Sequence, residues 1–185
     1  MTSEREKMIA GEFYNPMDPE LVQASRRAHL LCQRLNATTE DQIAIRREIL
    51  QELFATGGDT VWCEPPFYCI FGDNISIGNG VFFNFDCVIL DVAPVSIGDQ
   101  TMFGPAVQIY AASHPMDWRE RAKGREFGKP ISIGSNVWIG GGVIISAGVT
   151  IGDRTVIGAG SVVIRDIPDD VFAAGNPCRV IRQLE

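Results

Sequence analysis

Residues 131–164 read ISIGSNVWIGGGVIISAGVTIGDRTVIGAGSVVI, and this stretch decides the fold. Every sixth residue from Ile133 is β-branched: Ile133, Ile139, Ile145, Ile151, Ile157 and Val163. Glycine follows four of them, at Gly134, Gly140, Gly152 and Gly158. Two residues before each lie Ile131, Val137, Val143, Val149, Thr155 and Ser161. A sandwich of ordinary strands would alternate with period two and turn at irregular intervals. A strict period of six instead predicts one short strand and one turn per repeat. One aliphatic side chain points inward in each unit, and a small residue follows at the sharp turn, where glycine tolerates φ values others avoid. Three units close a triangular coil, and stacked coils bury an apolar column.

Working outward, the same beat recurs upstream as Phe71, Ile77, Phe83 and Ile89. After a two-residue insertion near Asp91–Pro94 it resumes at Ile97, Phe103 and Ile109. Ile109 and Ile133 are 24 residues apart, four whole periods, but residues 112–130 between them carry Pro115, Trp118 and many charges. That segment is predicted to be a loop extruded from the solenoid.

Residues 1–58 follow helical grammar. Asp18-Pro19-Glu20 starts a helix, with Asp18 capping and Pro19 in the first turn. Leu21, Ala24, Ala28, Leu31 and Leu35 then form its apolar face, and Asn36 is its stop. Thr39 with Gln42 reads as a capping box. It opens a second helix with Ile45, Ile49, Leu53 and either Ile43 or Leu50 inward, ended by Gly57-Gly58. Such a hairpin is too short for a core of its own and must pack on the repeat. The predicted division is therefore a helical segment, 1–58, and a β-solenoid, 59–185, with its loop and a C-terminal tail.

Composition narrows the function. A net charge of −7 argues against nucleic acid and anionic membranes as partners. The 45% hydrophobic and 21% charged residues are those of an ordinary globular chain. Five scattered cysteines without a C-x-x-C pair argue against a disulfide framework or a zinc site. No signal-peptide core and no stretch of 18 apolar residues occur, so the expected location is the cytoplasm.

Of two histidines, His29 falls in the first helix, and His114 falls in the extruded loop before Pro115. A neutral imidazole is a suitable general base near pH 7. No serine or cysteine is set up as an activated nucleophile. Arg165, Arg179 and Arg182 gather cations at the end of an acidic chain, and planar guanidinium groups suit phosphate. Gly140-Gly141-Gly142 belongs to the repeat and is no nucleotide fingerprint.

Several blocks carry a family likeness: EKMIAGEFY, EPPFYCIFGDNISIG, FFNFDCVILDVAPVSIGD, IYAASHPMD, GKPISIGSNVWIGGGVIISAGVTIGD, VIGAGSVV and GNPCRVIR. On these the chain resembles the hexapeptide-repeat acyltransferases, and among them the maltose and galactoside O-acetyltransferases. The resemblance implies a mainly β fold, a left-handed parallel β-helix with an N-terminal helical hairpin. It implies acetyl transfer from acetyl-CoA to a sugar hydroxyl in a ternary complex, without a metal, by a cytoplasmic homotrimer with sites shared between subunits.

Residue by residue, it implies that His114 is the general base and that Asn84 lies beside the acyl donor. It implies that Asp91 belongs to an acidic stretch holding the acceptor, where a solvated loop aspartate is the plain alternative. Trp138 would line the cofactor tunnel, and the Gly141 N–H would face the thioester oxygen. Ala159 and Ile164 would touch the cofactor, and Arg165, Arg179 and Arg182 its phosphates. Ile70 departs from the pattern. Relatives have an acidic or hydroxyl residue there to hold the acceptor, and an aliphatic side chain makes no hydrogen bond to a sugar.

Three rivals share the fold. A carbonic anhydrase of this shape needs three histidines, and the chain has two. A binding or scaffold solenoid with a flat ligand-matching face would want a repeated threonine or similar column, and the outward positions read as varied. An acetyltransferase for drugs or amines is the nearest competitor.

Overall fold

The computed structural model describes every residue except Met1 and Asp59. Asp59 is where the repeat region was expected to begin, so that boundary lies outside the described residues. Among the described residues, the parallel strands form three faces of four, six and five strands around a triangular solenoid, and an antiparallel edge strand brings the second sheet to seven. The first face stacks Ile75–Ile77, Val95–Ile97, Ile131–Ile133 and Thr150–Ile151. The second runs through Trp62–Cys63, Phe82–Phe83, Met102–Phe103, Trp138–Ile139, Val156–Ile157 and Val171–Ala174. Arg179–Gln183 folds back antiparallel and closes its edge. The third stacks Phe67–Cys69, Cys87–Leu90, Gln108–Tyr110, Ile144–Ser146 and Val162–Val163.

The predicted inward residues align in register: Ile77, Ile97, Ile133 and Ile151 on the first face, Phe83, Phe103, Ile139 and Ile157 on the second. On the third, Ile89, Ile109, Ile145 and Val163 align. All are at most 5% exposed. The lower coils are filled by aromatics, Phe83 lying flat on Phe103 with centroids 4.7 Å apart, and the upper ones by aliphatics.

Three details differ from the sequence reading. Phe71 is buried but out of column, because Cys69 pairs with Ile89 in its place. The glycine after each inward residue is required by close stacking rather than by φ. A Cβ on Gly140 would sit 2.5 Å from the Ala159 backbone nitrogen, whereas the positive φ falls two residues later, at positions such as Asn136 and Arg154. The outward positions are also less varied than expected. Ser76, Ser96, Ser132 and Thr150 form an exposed hydroxyl column on the first face. On the second, Trp62, Phe82, Met102, Trp138, Val156 and Phe172 form an apolar one.

Helix α1 spans Glu4–Ile9 and opens with a full capping box between Ser3 and Glu6. Helix α2, Pro19–Asn36, starts as predicted with the Asp18 carboxylate accepting from the Glu20 N–H. The Asn36 side chain then bonds both the N–H and the carbonyl of Phe67, tying the helix to the first strand of the third face. Helix α3, Ile43–Leu53, is capped at Gln42 without a side-chain bond, and only the reverse half of the expected box forms, from the Thr39 N–H to Gln42 Oε1. It buries Arg46, Ile49, Leu50 and Leu53, leaves Ile43 and Ile45 exposed, and ends before Gly57-Gly58. Ala28, Leu31, Leu35, Ile49, Leu50 and Leu53 share one core with the bottom coils.

Residues 112–130 leave the solenoid as predicted, but they are not unstructured. Ala112–Ser113 and Phe127–Gly128 pair antiparallel at the base, and a single-turn helix, α4, occupies Trp118–Arg121.

Candidate active site

The solenoid departs from its six-residue beat at one corner, between the third and first faces. Cys69 to Ile77 and Ile89 to Ile97 each take eight residues, and Ile109 to Ile133 takes 24. The extra residues of these three stacked corners form a second buried cluster with the N-terminal segment: Met8, Tyr14, Leu21, Phe71 and Val92, with Ile70 packed against it.

Asp91 is the hub of this corner and is fully buried. Its Oδ1 accepts from the Ile70 and Phe71 amides at 2.9 and 3.0 Å, and Oδ2 from the Gly72 amide at 2.7 Å. Burial pushes the carboxyl above its ordinary value, while those bonds pull it back. Asp91 is not the solvated loop aspartate of the plain alternative: it is buried, and both its oxygens accept from the 70–72 backbone.

His114 stands at the mouth of the loop with its side chain 56% exposed. Its Nε2 lies 3.9 Å from Glu126 Oε2, and the other oxygen of Glu126 accepts a hydrogen bond from the Tyr14 hydroxyl. Burial and the neighbouring carboxylate both raise the Tyr14 phenol well above its usual value, so it remains a donor. Glu126 and Ile70 both line a cleft of about 530 Å³ against the Leu21, Val22, Ser25 and Arg26 side of α2. Its lining mixes apolar Pro16, Met17, Leu21 and Ile70 with a few polar groups, among them Arg26 and Glu126, the usual make-up of a small-molecule site.

A different corner, between the second and third faces, holds Asn84, Gly141 and Ala159. Asn84 follows inward Phe83, and its Oδ1 accepts from the Phe85 amide at 2.8 Å, which closes its own turn. Gly141 and Ala159 stack in successive coils, linked by the Gly160 N–H to the Gly141 carbonyl at 2.9 Å. Trp138, half-exposed, sits on the adjoining second face, and Arg182 pairs with Phe172 at that face's end. Arg179 lies on the same closing strand, its guanidinium bonded to the Cys178 carbonyl at 2.8 Å. Ile164 and Arg165 are exposed where the last strand of the third face ends. One chain therefore keeps His114 and Ile70 on one vertex of the triangle and Asn84, Gly141 and Ala159 on another.

Two family models match the chain: the maltose acetyltransferase hexapeptide capping motif over residues 7–58, and the bacterial transferase hexapeptide (six repeats) over residues 130–165. The crystal structure of a maltose O-acetyltransferase from Clostridium difficile 630 superposes with a TM-score of 0.97 at 48% identity, covering 99% of this chain and 98% of that one. This chain belongs to the hexapeptide-repeat acetyltransferases, in the group of the maltose and galactoside O-acetyltransferases. The fold is the left-handed β-helix of that family. Nodulation protein L of Rhizobium meliloti (strain 1021) is 49% identical, over 96% of this chain and 97% of its own length. A galactoside acetyltransferase in complex with coenzyme A superposes with a TM-score of 0.93 at 39% identity, covering 100% of this chain and 92% of that one.

Within this acetyltransferase, sequence reading missed Tyr14 and Glu126. They stand 112 residues apart, in segments joined by the bond from the Tyr14 N–H to the Glu126 carbonyl at 3.2 Å and by the edge-to-face rings of Phe13 and Phe127. No local pattern announces such a pair. Among the described residues, no group of three or more histidine, cysteine, aspartate or glutamate side chains is close enough to hold a metal ion.

Proposed function

We propose that the chain transfers acetyl from acetyl-CoA to a hydroxyl of a sugar or glycoside. The observation that carries this reading is His114, half-exposed and 3.9 Å from Glu126, a residue that lines a cleft together with Ile70 and Phe71. His114 takes the proton of the acceptor hydroxyl as its oxygen attacks the thioester carbonyl. The backbone N–H of Gly141 steadies the oxyanion, and coenzyme A leaves as its thiol after receiving the proton back. No acetyl-enzyme forms, and all three partners meet in one ternary complex. Trp138, Ala159 and Ile164 pack against the cofactor, Asn84 stands beside the thioester, and Arg165, Arg179 and Arg182 meet its phosphates. Complexes of relatives with coenzyme A support the donor. Ile70 gives the acceptor an aliphatic contact where a sugar hydroxyl finds no partner.

The site is completed by a second copy of the chain, in a homotrimer. The separation of His114 from Asn84 and Gly141 onto different vertices supports this. So does the apolar column on the second face, where Trp62, Met102 and Trp138 are 42, 49 and 53% exposed in the single chain. The serine and threonine column on the first face is the one suited to water. No helix is long and apolar enough to cross a membrane, and a cytoplasmic location, where acetyl-CoA is made and used, goes with the proposal.

The test is thiol release from acetyl-CoA with a panel of glucosides, galactosides and maltose, with His114→Ala as control and sedimentation at the assay concentration. Release with sugars, abolished in the control, is expected from a trimer. Release with amines or drugs but no sugar would move the chain to the nearest rival activity. A monomer turning over at full rate would refute the shared site.

A further inference from the structure

We propose that Glu126, held by the Tyr14 phenol, is the positioning residue that orients the His114 imidazole and stabilises its protonated form. This rests on the reading of His114 as the general base. The hairpin at the base of the loop sets the pair. Ser113 faces Phe127 across it, so His114 and Glu126 come next, one residue beyond the end of the ladder. Side chains so placed are cross-strand neighbours, and Nε2 accordingly lies 3.9 Å from Oε2.

That distance is a charge contact rather than a hydrogen bond, so it matters when the ring carries a proton. The opposite oxygen is pinned. Oε1 accepts from the Tyr14 hydroxyl, and Tyr14 is 2% exposed in the cluster of Met8, Leu21, Phe71 and Val92. The Glu126 side chain is itself only 18% exposed, against 56% for His114. A carboxylate anchored on one oxygen, with the other turned to a half-exposed ring, is placed to hold that ring. Other charged or titratable groups near the pair are Arg121 of α4, whose guanidinium bonds the Pro115 and Met116 carbonyls, Arg125, adjacent in the chain, and Arg26 and His29, which line the cleft from α2.

During transfer the acceptor O–H bond breaks, its proton moves to His114, and the acceptor oxygen bonds the acetyl carbon. The carbon–sulfur bond then breaks, and the thiolate recovers the proton from the imidazolium. Glu126 exchanges no atom or electron. Its charge lowers the energy of the imidazolium between the two proton transfers.

The experiment is an NMR titration of the imidazole nitrogens in the full-length protein, with His29→Gln assigning the two histidines, beside the pH profile of kcat/KM. Glu126→Gln is expected to move the His114 titration to lower pH. The acid limb of the profile should move down with it, and kcat should fall about tenfold. Glu126→Asp should restore part of both, and Tyr14→Phe should give a smaller shift in the same direction. Thermal melting of each variant separates these effects from loss of fold, and Tyr14→Phe carries the test if Glu126→Gln melts early. A His114 pKa and acid limb unchanged in both variants overturn the proposal. A higher acceptor KM with kcat and pH profile unchanged also overturns it, and makes Glu126 an acceptor contact. The titration needs no turnover. If no sugar is acetylated, the function reading fails while the Glu126–His114 coupling is still decided by the pKa.

Discussion

The upper coils, residues 131–163, and the corner between the third and first faces are built from the same repeat and behave as opposites. In the upper coils every inward residue arrives on time, and the turns are too tight even for a Cβ at Gly140. At the corner the spacing swells to eight, eight and 24 residues before it returns to six between Ile145 and Ile151. The surplus chain is not slack. It buries a second cluster, wraps the Asp91 carboxylate and carries His114 outward on a hairpin. The cleft lined by Ile70, Phe71 and Glu126 is built from this surplus chain and helix α2. This molecule places its surplus where the N-terminal helices can cover it.

The largest effect expected from this division belongs to the corner. His114→Ala should lower turnover by about two to four orders of magnitude, as for a lost general base. Its melting temperature should stay within about 2 °C of the native value, since the ring is half in water. Steady-state kinetics and calorimetry on one preparation decide it. Near-native turnover would remove the base and leave the corner without chemistry.

The column should respond the other way. Ile145→Ala empties a fully buried site between Ile109 and Val163, and should cost about 3–4 kcal/mol of stability. Activity per folded molecule should persist. Denaturant titration with activity read across the transition separates the two. A loss of kcat without a loss of stability would mean that the column is not a passive scaffold.

How legible each region was in the sequence follows from the same contrast. The column could be read directly because its period is set by local chain geometry and repeated. Helix α2 was also legible, since Asp18, Pro19 and the spacing from Leu21 to Leu35 are local signals. Helix α3 was less so. Its helical stripe fits two faces, and packing on the solenoid chose Leu50 over Ile43 and buried Arg46 in place of Ile45. The hydroxyl column was in plain view as Ile-Ser-Ile, Val-Ser-Ile, Ile-Ser-Ile and Val-Thr-Ile, but it emerges only once strands three repeats apart are laid side by side. At the corner, His114 stood out by its loop and its rarity. Asp91 looked like an exposed loop residue because nothing local reveals that a neighbouring coil offers it three amides. Tyr14 and Glu126 were beyond reach for the same reason, since contacts between distant segments leave no spacing to read.

Asp91 is a corner residue with the burial of a core one. Asp91→Ala strands the amides of Ile70, Phe71 and Gly72, and should cost about 2–3 kcal/mol. The acceptor KM of the molecules still folded should change little. If instead the melting temperature holds and the acceptor KM climbs, Asp91 contacts the acceptor, and its bonds to the corner are incidental.

The smallest effect should fall on the first face. Ser132 is exposed, and its hydroxyl lies 3.0 Å from that of Ser96, one coil away. A hydroxyl pair open to water exchanges one partner for another at little net gain, so Ser132→Ala should change stability by about 0.5 kcal/mol or less. The same substitution should leave kinetics and oligomeric state untouched. Trp138→Ser, on the second face, should shift the assembly toward smaller species and raise the KM for acetyl-CoA. Paired measurement of the two variants tests whether the faces are truly unequal. If Ser132→Ala disturbed assembly as strongly as Trp138→Ser, the hydroxyl column would be an interface. The distinction between a watered face and a covered one would then have to be redrawn.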